Sequence, residues 1–195
     1  MSLKHAILGF LSYAPLSGYD LKKAFDQSVR HFWPANQSQI YRTLAELDEQ
    51  GLVTKEIVSR EDRLDMKVYS INEAGLAELR RWLSTPLPPQ DIREPLLIQV
   101  FFGGQLTDDE LLNVLQHEQQ TANDNLAIYT TLYDTLVERS YTNVDRRSAF
   151  LSTLTLEYGL AAQRALLKWL QAAIQRVQAR DYSPAPLSEL VGELE

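Results

Sequence analysis

The spacing of apolar residues predicts three helices in the first 50 residues. In segments 3–13, 18–28 and 37–50, large apolar side chains recur three or four positions apart, so each segment has one face that can pack on a shared core. The predicted core residues are Ile7, Leu8, Phe10 and Leu11, then Leu21 and Phe25, then Ile40, Leu44 and Leu47.

Capping residues stand at the ends of these segments. Ser17 and Asn36 occupy N-cap positions, and Gln39 follows Asn36 at the spacing of a capping box. Gly51 is placed to end the third helix, because glycine adopts the left-handed conformation that helix ends often need. The local chemistry therefore supports the helical periodicity.

The hydrophobic period then changes from 3.6 residues to about two. Segments 52–59 and 66–71 alternate or cluster β-branched residues, which predicts the strands of a β-hairpin. The charged segment 59–65 between them is predicted to be a turn-like connection. Asn72 is a predicted N-cap for a fourth helix over residues 73–83. Its predicted buried side carries Leu76, Leu79 and Leu83.

Three helices, a hairpin with a charged tip and a further helix are the element order of a winged helix-turn-helix. We therefore predict such a DNA-binding domain over residues 1–85. Three of the eight prolines fall within residues 84–91, and proline disfavours helix at the preceding residue. This predicts a Pro-rich hinge over residues 86–92. An all-helical dimerisation domain over 93–180 and a loosely held tail over 181–195 follow, so the fold class is mostly α with a small β-hairpin wing.

The second half is predicted to form helices alone. Residues 95–103, opened by Pro95, are apolar on nearly every side and should be buried all round. Thr107 is a predicted cap for a helix that extends beyond Tyr133, and a last helix covers residues 146–179. One apolar stripe of the last helix holds Leu151, Tyr158, Ala162, Ala165 and Trp169, and others hold Leu156, Leu160, Leu167, Leu170 and Ile174. Such a helix needs more than one packing partner, most simply a second subunit in a homodimer.

Composition excludes several classes of function. The chain is 45% hydrophobic and 23% charged, as globular proteins are, and no apolar run approaches the roughly 20 residues of a membrane span. It has no cysteine and no histidine pair at ligand spacing, which argues against thiol catalysis and a metal site. There is no Gly-rich phosphate loop and no nucleophile elbow. We expect a cytoplasmic protein that is not an enzyme and needs no cofactor, metal or membrane.

The net charge of −7 argues at first against a nucleic-acid partner, but the charge is uneven. Residues 1–85 hold eleven basic and eleven acidic side chains, so this half is neutral. All of the excess acid lies in residues 86–195. The first half is therefore the part that can approach a polyanion.

The residues of the first half resemble the PadR family of bacterial transcription regulators. The matching stretches are SQIYRTLAELDEQGLVTKEIV, KVYSINEAGLAELRRWL and LSGYDLKKAFD. The second half is similar to the C-terminal domain of the virulence-activator branch of that family, through REPLLIQVFFGGQLTDDELLNVL and ALLKWLQAAI. The two resemblances occur in family order and together cover nearly the whole chain.

The resemblance implies a dimeric DNA-binding regulator, usually a repressor and sometimes an activator, whose C-terminal helices make most of the dimer contact. Members of its phenolic-acid branch lose DNA affinity when a small aromatic acid accumulates, while others bind planar drugs or nucleotides, so no effector is implied. We expect a homodimer on a two-fold symmetric operator in double-stranded DNA. The alternative is a winged-helix protein–protein interaction module without specific DNA binding.

The exposed face of the third helix carries the predicted DNA contacts. In a helix-turn-helix, the N-terminal residues of the second helix meet base edges in the major groove. Gln39 has the groups to pair with adenine, and Arg42 with guanine or phosphate. Ser38 and Tyr41 are predicted backbone contacts. In the alternative, Gln39 is a cap alone and Arg42 pairs with Glu46.

Basic residues outside this helix are candidate phosphate contacts. The family often has a basic residue just before the second wing strand, which favours Arg63 and Lys67. The hairpin tip is neutral on balance, so a solvated turn is the alternative. Lys22 and Lys23 on the preceding helix are further phosphate candidates, with a solvated helix face as their alternative.

Aromatic residues give the one indication of an effector pocket. Flat ligands stack on aromatic side chains, and a cleft between the winged helix and the dimer helices would suit a small aromatic effector. The candidates are Trp33, Trp82, Tyr129, Tyr133, Tyr158 and Trp169. The alternative is that these side chains belong to the core, where aromatics at helical spacing are common.

Overall fold

The computed structural model describes residues 2–60, 63–89, 91, 93–140 and 145–186. Six of these are described by their backbone alone: Ser2, Arg60, Arg63, Leu64, Arg139 and Ser140. Residues 90 and 92 of the predicted hinge and 187–195 of the predicted tail lie outside the described residues. The chain divides into two compact units, residues 1–90 and 91–195.

The described part of the first unit is a winged helix-turn-helix built from four helices and a small sheet. In chain order its elements are α1 (Ser2–Leu11), β1 (Leu16–Ser17), α2 (Gly18–Gln27), α3 (Gln37–Glu49), β2 (Val53–Arg60), β3 (Arg63–Ile71) and α4 (Glu73–Leu83). The predicted four helices and hairpin are confirmed, and so is the fold class.

The sheet is antiparallel and has the strand order β1–β3–β2. Strand β1, in which Leu16 pairs with Tyr69, was not predicted, because two residues are too few to show a period. The expected turn-like connection over residues 59–65 is wrong for most of its length, since β2 continues to Arg60 and β3 begins at Arg63. Backbone pairing extends both strands into this charged segment, as far as Arg60 opposite Arg63, without needing apolar side chains. Residues 61 and 62 of the expected connection lie outside the described residues.

Side-chain caps hold the helix ends as predicted. The Asp20 backbone N–H donates to Ser17 Oγ at 3.1 Å, and the Gly75 N–H donates to Asn72 Oδ1 at 2.9 Å. Gly51 follows α3 with a φ of 67°, a conformation that disfavours other residues. These local bonds fix where α2 and α4 begin and where α3 ends.

The core of the first unit contains most of the predicted apolar residues. The fully or nearly fully buried ones from the first three helices are Ile7, Leu8, Leu11, Leu21, Phe25, Ile40, Leu44 and Leu47. The stripe predicted for α4 is wrong at two positions, because Leu76 and Leu83 are exposed. Helix α4 presents only a narrow face to the core, where Gly75 and Leu79 are buried.

Helices α1 and α4 are joined by an aromatic stack and an ion pair. The ring of His5, which is 6% exposed, stacks on Trp82 with centroids 4.5 Å apart and planes 7° from parallel. His5 Nε2 lies 3.0 Å from Glu78 Oε1, and Arg81 Nη2 donates to Glu78 Oε2 at 2.7 Å. The hydrogen bonds from Arg81 and then His5 lower the pKa of Glu78 to about 2.

Within its described residues the second unit is wholly helical, as predicted. It contains α5 (Pro95–Phe101), a 3-10 turn (Gly103–Gln105), α6 (Asp108–Ser140) and α7 (Arg146–Gln178). The long helices α6 and α7 pack together around Leu115, Leu170 and Ile174. The predicted cap is confirmed, because the Glu110 N–H donates to Thr107 Oγ1 at 3.3 Å. Among the described residues, no helix combines the length and hydrophobicity needed to cross a bilayer.

The expectation that residues 95–103 are buried all round is wrong for the single chain. Helix α5 turns Leu96 and Val100 toward the α6–α7 core, but Ile98 is 63% exposed and Phe101 is 81% exposed. A seven-residue helix packed on one side alone leaves its other side open. The chain therefore carries an uncovered apolar surface on α5.

Helix α7 has two apolar stripes, of which one is covered. The stripe against α6 includes the buried residues Leu156, Leu167, Leu170 and Ile174. The second stripe is exposed and holds Leu151, Leu154, Tyr158, Ala162, Ala165 and Trp169. As predicted, α7 is apolar on more faces than its own chain covers.

Candidate nucleic-acid interface

Helix α3 presents a polar face to solvent because its apolar stripe is fixed in the core. Ser38, Tyr41 and Arg42 all lie on the exposed side. A solvent-exposed face near the N-terminus of the second helix is the part of this fold that enters the major groove in helix-turn-helix proteins. The structure thus brings three of the predicted DNA contacts onto one surface.

Gln39 is engaged in a reciprocal capping box at the start of α3. Its Oε1 accepts from the Asn36 backbone N–H at 3.0 Å, and its own N–H donates to Asn36 Oδ1 at 2.9 Å. The predicted capping box is confirmed. Gln39 is half-buried, whereas Ser38 and Arg42 are exposed.

Arg42 does not make the intrahelical ion pair that was its alternative role. Within the described part of the chain, no acidic group, Glu46 included, lies within 4.0 Å of its guanidinium. Its five N–H donors are fixed in a planar fork that suits guanine or phosphate. The guanidinium is thus not neutralised by its own helix.

A cleft of about 450 Å³ lies beside Tyr41. It is bounded by Tyr41 on α3, by Tyr19 in the first turn of α2 and by Asp65 and Lys67 on the wing strand β3. Tyr19 is 68% exposed and was not predicted, because a tyrosine near a helix start has no periodic signal of its own. The cleft therefore joins the third helix to the wing.

The two predicted basic contacts of the wing, Arg63 and Lys67, both lie on strand β3 instead of at the hairpin tip. Lys67 is exposed and lies within β3, where it pairs with Ile57 across the sheet, so it projects from the body of the wing. Arg63 is the first residue of β3, and its side chain lies outside the described part of the structure. The nearby Asp65 leaves the charge beside Lys67 balanced, as the sequence indicated.

The cations around the start of α3 are not equivalent. Lys22 forms an ion pair with Asp26 on its own helix, whereas Lys23 is exposed and has no ion-pair partner among the described residues. Arg30 is also exposed and lines a groove of about 410 Å³ together with Gln39. Arg30 was not predicted, because it follows α2 in a segment without periodicity.

An ion pair at the surface links the end of α3 to the sheet. The ammonium of Lys55 on β2 donates to the carboxylate of Asp48 at the end of α3, and this hydrogen bond raises the pKa of Lys55. Burial raises the pKa of the neighbouring Tyr69 hydroxyl. These contacts hold the third helix against the wing and leave its first turns uncovered.

The predicted effector residues fall into two groups. Trp33 and Trp82 line one apolar groove of about 420 Å³ in the first unit, together with Phe10, Tyr13 and Phe32. In the second unit, Tyr129 and Tyr133 are half-buried on α6, while Tyr158 and Trp169 belong to the exposed stripe of α7. No cluster of three acidic or histidine side chains suited to a metal occurs in the described residues.

Two family models match the chain, and each covers one unit. Residues 7–81 match the transcriptional regulator PadR-like family, and residues 92–178 match the virulence activator alpha C-terminal domain. The chain is also similar to the probable transcriptional regulator Rv1176c of Mycobacterium tuberculosis. The two are 31% identical over 196 residues, which span 92% of this chain and all of that protein.

A second relative is the negative transcriptional regulator PadR of Bacillus subtilis. It is 28% identical over 180 residues, or 90% of this chain and 97% of that protein. The crystal structure of B. subtilis PadR with operator DNA superposes with a TM-score of 0.79 at 27% identity, covering 91% of this chain and 99% of the other. Its complex with p-coumaric acid superposes with a TM-score of 0.72 at 25% identity, covering 90% and 95%.

Proposed function

Because this chain belongs to the PadR family of DNA-binding transcriptional regulators, we propose that it represses transcription as a homodimer on a two-fold symmetric operator. Residues 1–85 bind the DNA, residues 86–92 form the hinge and residues 93–180 form the dimer contact. The observation that carries the proposal is the exposed polar face of α3 above a fully buried apolar stripe. B. subtilis PadR, described as a negative regulator and crystallised on operator DNA, supports repression.

The proposed interface combines base recognition with phosphate contacts. Arg42 is exposed and forms no ion pair with an acidic residue of its own helix, so its guanidinium can bind guanine or phosphate. Ser38 and Tyr41 lie beside it and suit the DNA backbone. Lys67 on the wing and Lys23 on α2 are exposed cations for flanking phosphates. Lys22 contributes less, because its ammonium is already neutralised by Asp26.

The uncovered apolar surfaces of the second unit support the homodimer. The exposed stripe of α7 and the open side of α5 would both be costly to leave in water, and each suits a second copy of the same domain. A two-fold dimer presents two α3 helices to DNA. The operator half-sites should then be spaced by one helical turn, about 10 bp, or a multiple of it.

The test is a binding titration followed by fluorescence anisotropy. The labelled duplex carries the intergenic DNA upstream of the protein's own gene, and a scrambled duplex of equal composition is the reference. We expect saturable binding that is at least tenfold tighter to the first duplex and that weakens as salt rises, with a log–log slope of about −0.9 per phosphate neutralised. Arg42→Ala should weaken the preference, whereas Arg164→Ala on the polar face of α7 should preserve it in full.

The rival function is a winged helix that docks a protein instead of DNA. That module would bind both duplexes equally and weakly, and replacing Gln39 and Arg42 by alanine would leave its DNA binding unchanged. A library of random duplexes extends the test beyond the upstream region. Failure to enrich any sequence from it would contradict the DNA-binding proposal.

An effector site is proposed in the apolar groove that Trp33 and Trp82 share. Its volume of about 420 Å³ lies within the range of small-molecule sites, and its aromatic lining suits a flat ligand. The p-coumaric acid complex of B. subtilis PadR supports a small aromatic acid as the first compound to test. Tyr129, Tyr133, Tyr158 and Trp169 stay predicted effector residues of the second unit.

Tryptophan fluorescence tests this site directly. p-Coumaric acid should quench emission from the groove saturably and weaken operator binding in the anisotropy assay. Gly9 lines the groove and has open space around it, so Gly9→Leu should fill the groove and remove the quenching. Quenching that is unchanged in Gly9→Leu would place the ligand elsewhere.

A further inference from the structure

The capping box limits how Gln39 can recognise a base. A backbone N–H can only donate, so the atom of the Gln39 amide that lies 3.0 Å from the Asn36 nitrogen is necessarily the oxygen, Oε1. The amide nitrogen Nε2 is then left with two N–H groups that have no partner among the described residues. The side chain thus presents donors while its acceptor is engaged by its own helix.

Bidentate pairing with adenine needs both ends of the amide. Oε1 must accept from adenine N6 while Nε2 donates to N7. Turning Oε1 toward a base would break its bond to the Asn36 N–H at the start of α3. The bond to the base would then only replace the capping bond, and the helix would lose part of its N-terminal cap. Opening the cap therefore brings no net advantage.

Resting on the DNA-binding function proposed above, we propose that Gln39 keeps its capping bond in the complex and recognises hydrogen-bond acceptors on the base edge through Nε2 alone. Guanine offers two acceptors, N7 and O6, for the two N–H groups of one nitrogen. Adenine N7 and thymine O4 offer one each. Cytosine offers only its N4 donor in the major groove and is rejected.

Gln39→Glu separates the cap from the recognition of the base. Glutamate completes a capping box at the third helical position as glutamine does, so the bond from Asn36 is retained. The remaining carboxylate oxygen replaces Nε2 and accepts, where glutamine donated. The preferred base at the contacted position should change from guanine to cytosine, whose N4 group donates to carboxylates.

The experiment is selection of binding sites from a random duplex library by the full-length wild-type and Gln39→Glu proteins. We expect the wild-type operator to contain a position that favours guanine and is depleted of cytosine at least fivefold. In Gln39→Glu that position should favour cytosine while the rest of the operator is unchanged. Circular dichroism melting should show that the variant keeps wild-type stability. A second test needs no protein variant. The base 7-deazaguanine lacks the N7 acceptor, so an operator duplex that carries it at this position should bind the wild-type protein severalfold more weakly.

Three results would overturn the proposal, and they are distinguishable. A wild-type requirement for adenine alone would mean that the cap opens and Gln39 pairs with both ends. Identical operators for the two proteins, with full affinity for the 7-deazaguanine duplex, would mean that Gln39 is a cap alone. Enrichment of no sequence by the wild-type protein would overturn the DNA-binding function itself.

Discussion

Tyr41 on α3 lies against the backbone of Gly18, the first residue of α2. A Cβ placed on Gly18 would be 2.6 Å from Cε1 and 2.7 Å from Cζ of the tyrosine ring, closer than real Cβ contacts. The absence of a side chain at Gly18 therefore allows the ring to occupy this position. Because Tyr41 also borders the cleft shared with the wing, this contact couples the start of α2 to the proposed DNA surface.

Gly18→Ala should weaken DNA binding more than it destabilises the fold. The added methyl group displaces the Tyr41 ring, and the ring is exposed enough to move into solvent without disturbing the core. We expect operator affinity to fall roughly tenfold, which corresponds to about 1.4 kcal/mol. Anisotropy titration measures this effect. Gly9→Ala is the matched control, since no atom lies within 4 Å of a Cβ at Gly9, and equal losses in both variants would refute the role of the contact.

Gly75→Ala should instead destabilise the winged helix itself. A Cβ at Gly75 would lie 2.2 Å from the carbonyl oxygen of Leu52, and a backbone atom cannot swing aside as a tyrosine ring can. We expect the free energy of unfolding to fall by about 3 kcal/mol, at the upper end of the overpacking range. Urea denaturation monitored by circular dichroism measures the loss. Gly9→Ala should be neutral or slightly stabilising in the same assay, because alanine favours helix.

The features predictable from the sequence were those with a local physical cause. The caps at Ser17, Asn36 and Asn72 depend on hydrogen bonds within three residues, so spacing alone identified them. Strand β1 depends on pairing with β3 more than 50 residues away, and its two residues give no local signal. Contacts such as Tyr41 on Gly18 likewise join different elements and become visible only in three dimensions.

Burial was harder to predict where apolar residues exceed the available partners. Leu76 and Ile98 carry the same hydrophobic signal as core residues, yet both are exposed in the single chain. Periodicity shows that a face is apolar, but it does not show which element covers it. The same limit applies to Gln39, whose sequence position fits both a cap and a base contact. The structure shows the cap, and the geometry of that cap defines which contact remains open.

The ion pair between α1 and α4 should make the free energy of unfolding depend on pH in the acid range. The pKa of Glu78 is about 2 in the folded protein and near 4.5 in the unfolded chain, so the unfolded state binds more protons between these values. The contribution of Glu78 is therefore fully present above pH 4.5 and is lost as pH falls toward 2. Lys4, His5 and Arg81 are the basic groups that face this carboxylate.

Glu78→Gln isolates that dependence. We expect it to lower the free energy of unfolding by about 1 kcal/mol at pH 7, after allowing for partial exposure of the carboxylate. The difference from wild type should shrink between pH 4.5 and pH 3 in urea denaturation. Glu49→Gln, on the exposed side of α3, serves as the control with the same change in charge. A difference that stays constant over this pH range would contradict the assignment.

The exposed stripe of α7 should be the part of the second unit that holds two subunits together. Ala162 lies in the middle of this stripe and Gln171 lies on the polar face of the same helix, and both are exposed in the single chain. A glutamate at either position is therefore compatible with the helix. Ala162→Glu buries a charge in the dimer, whereas Gln171→Glu leaves it in water.

We expect sedimentation equilibrium to show at least a hundredfold weaker dimerisation for Ala162→Glu, with unchanged helicity, and a wild-type dimer for Gln171→Glu. Operator binding should weaken in parallel, because separated subunits no longer bind two half-sites together. If Ala162→Glu remained fully dimeric, the subunits would have to meet through another surface, and the open side of α5 would be the next to test.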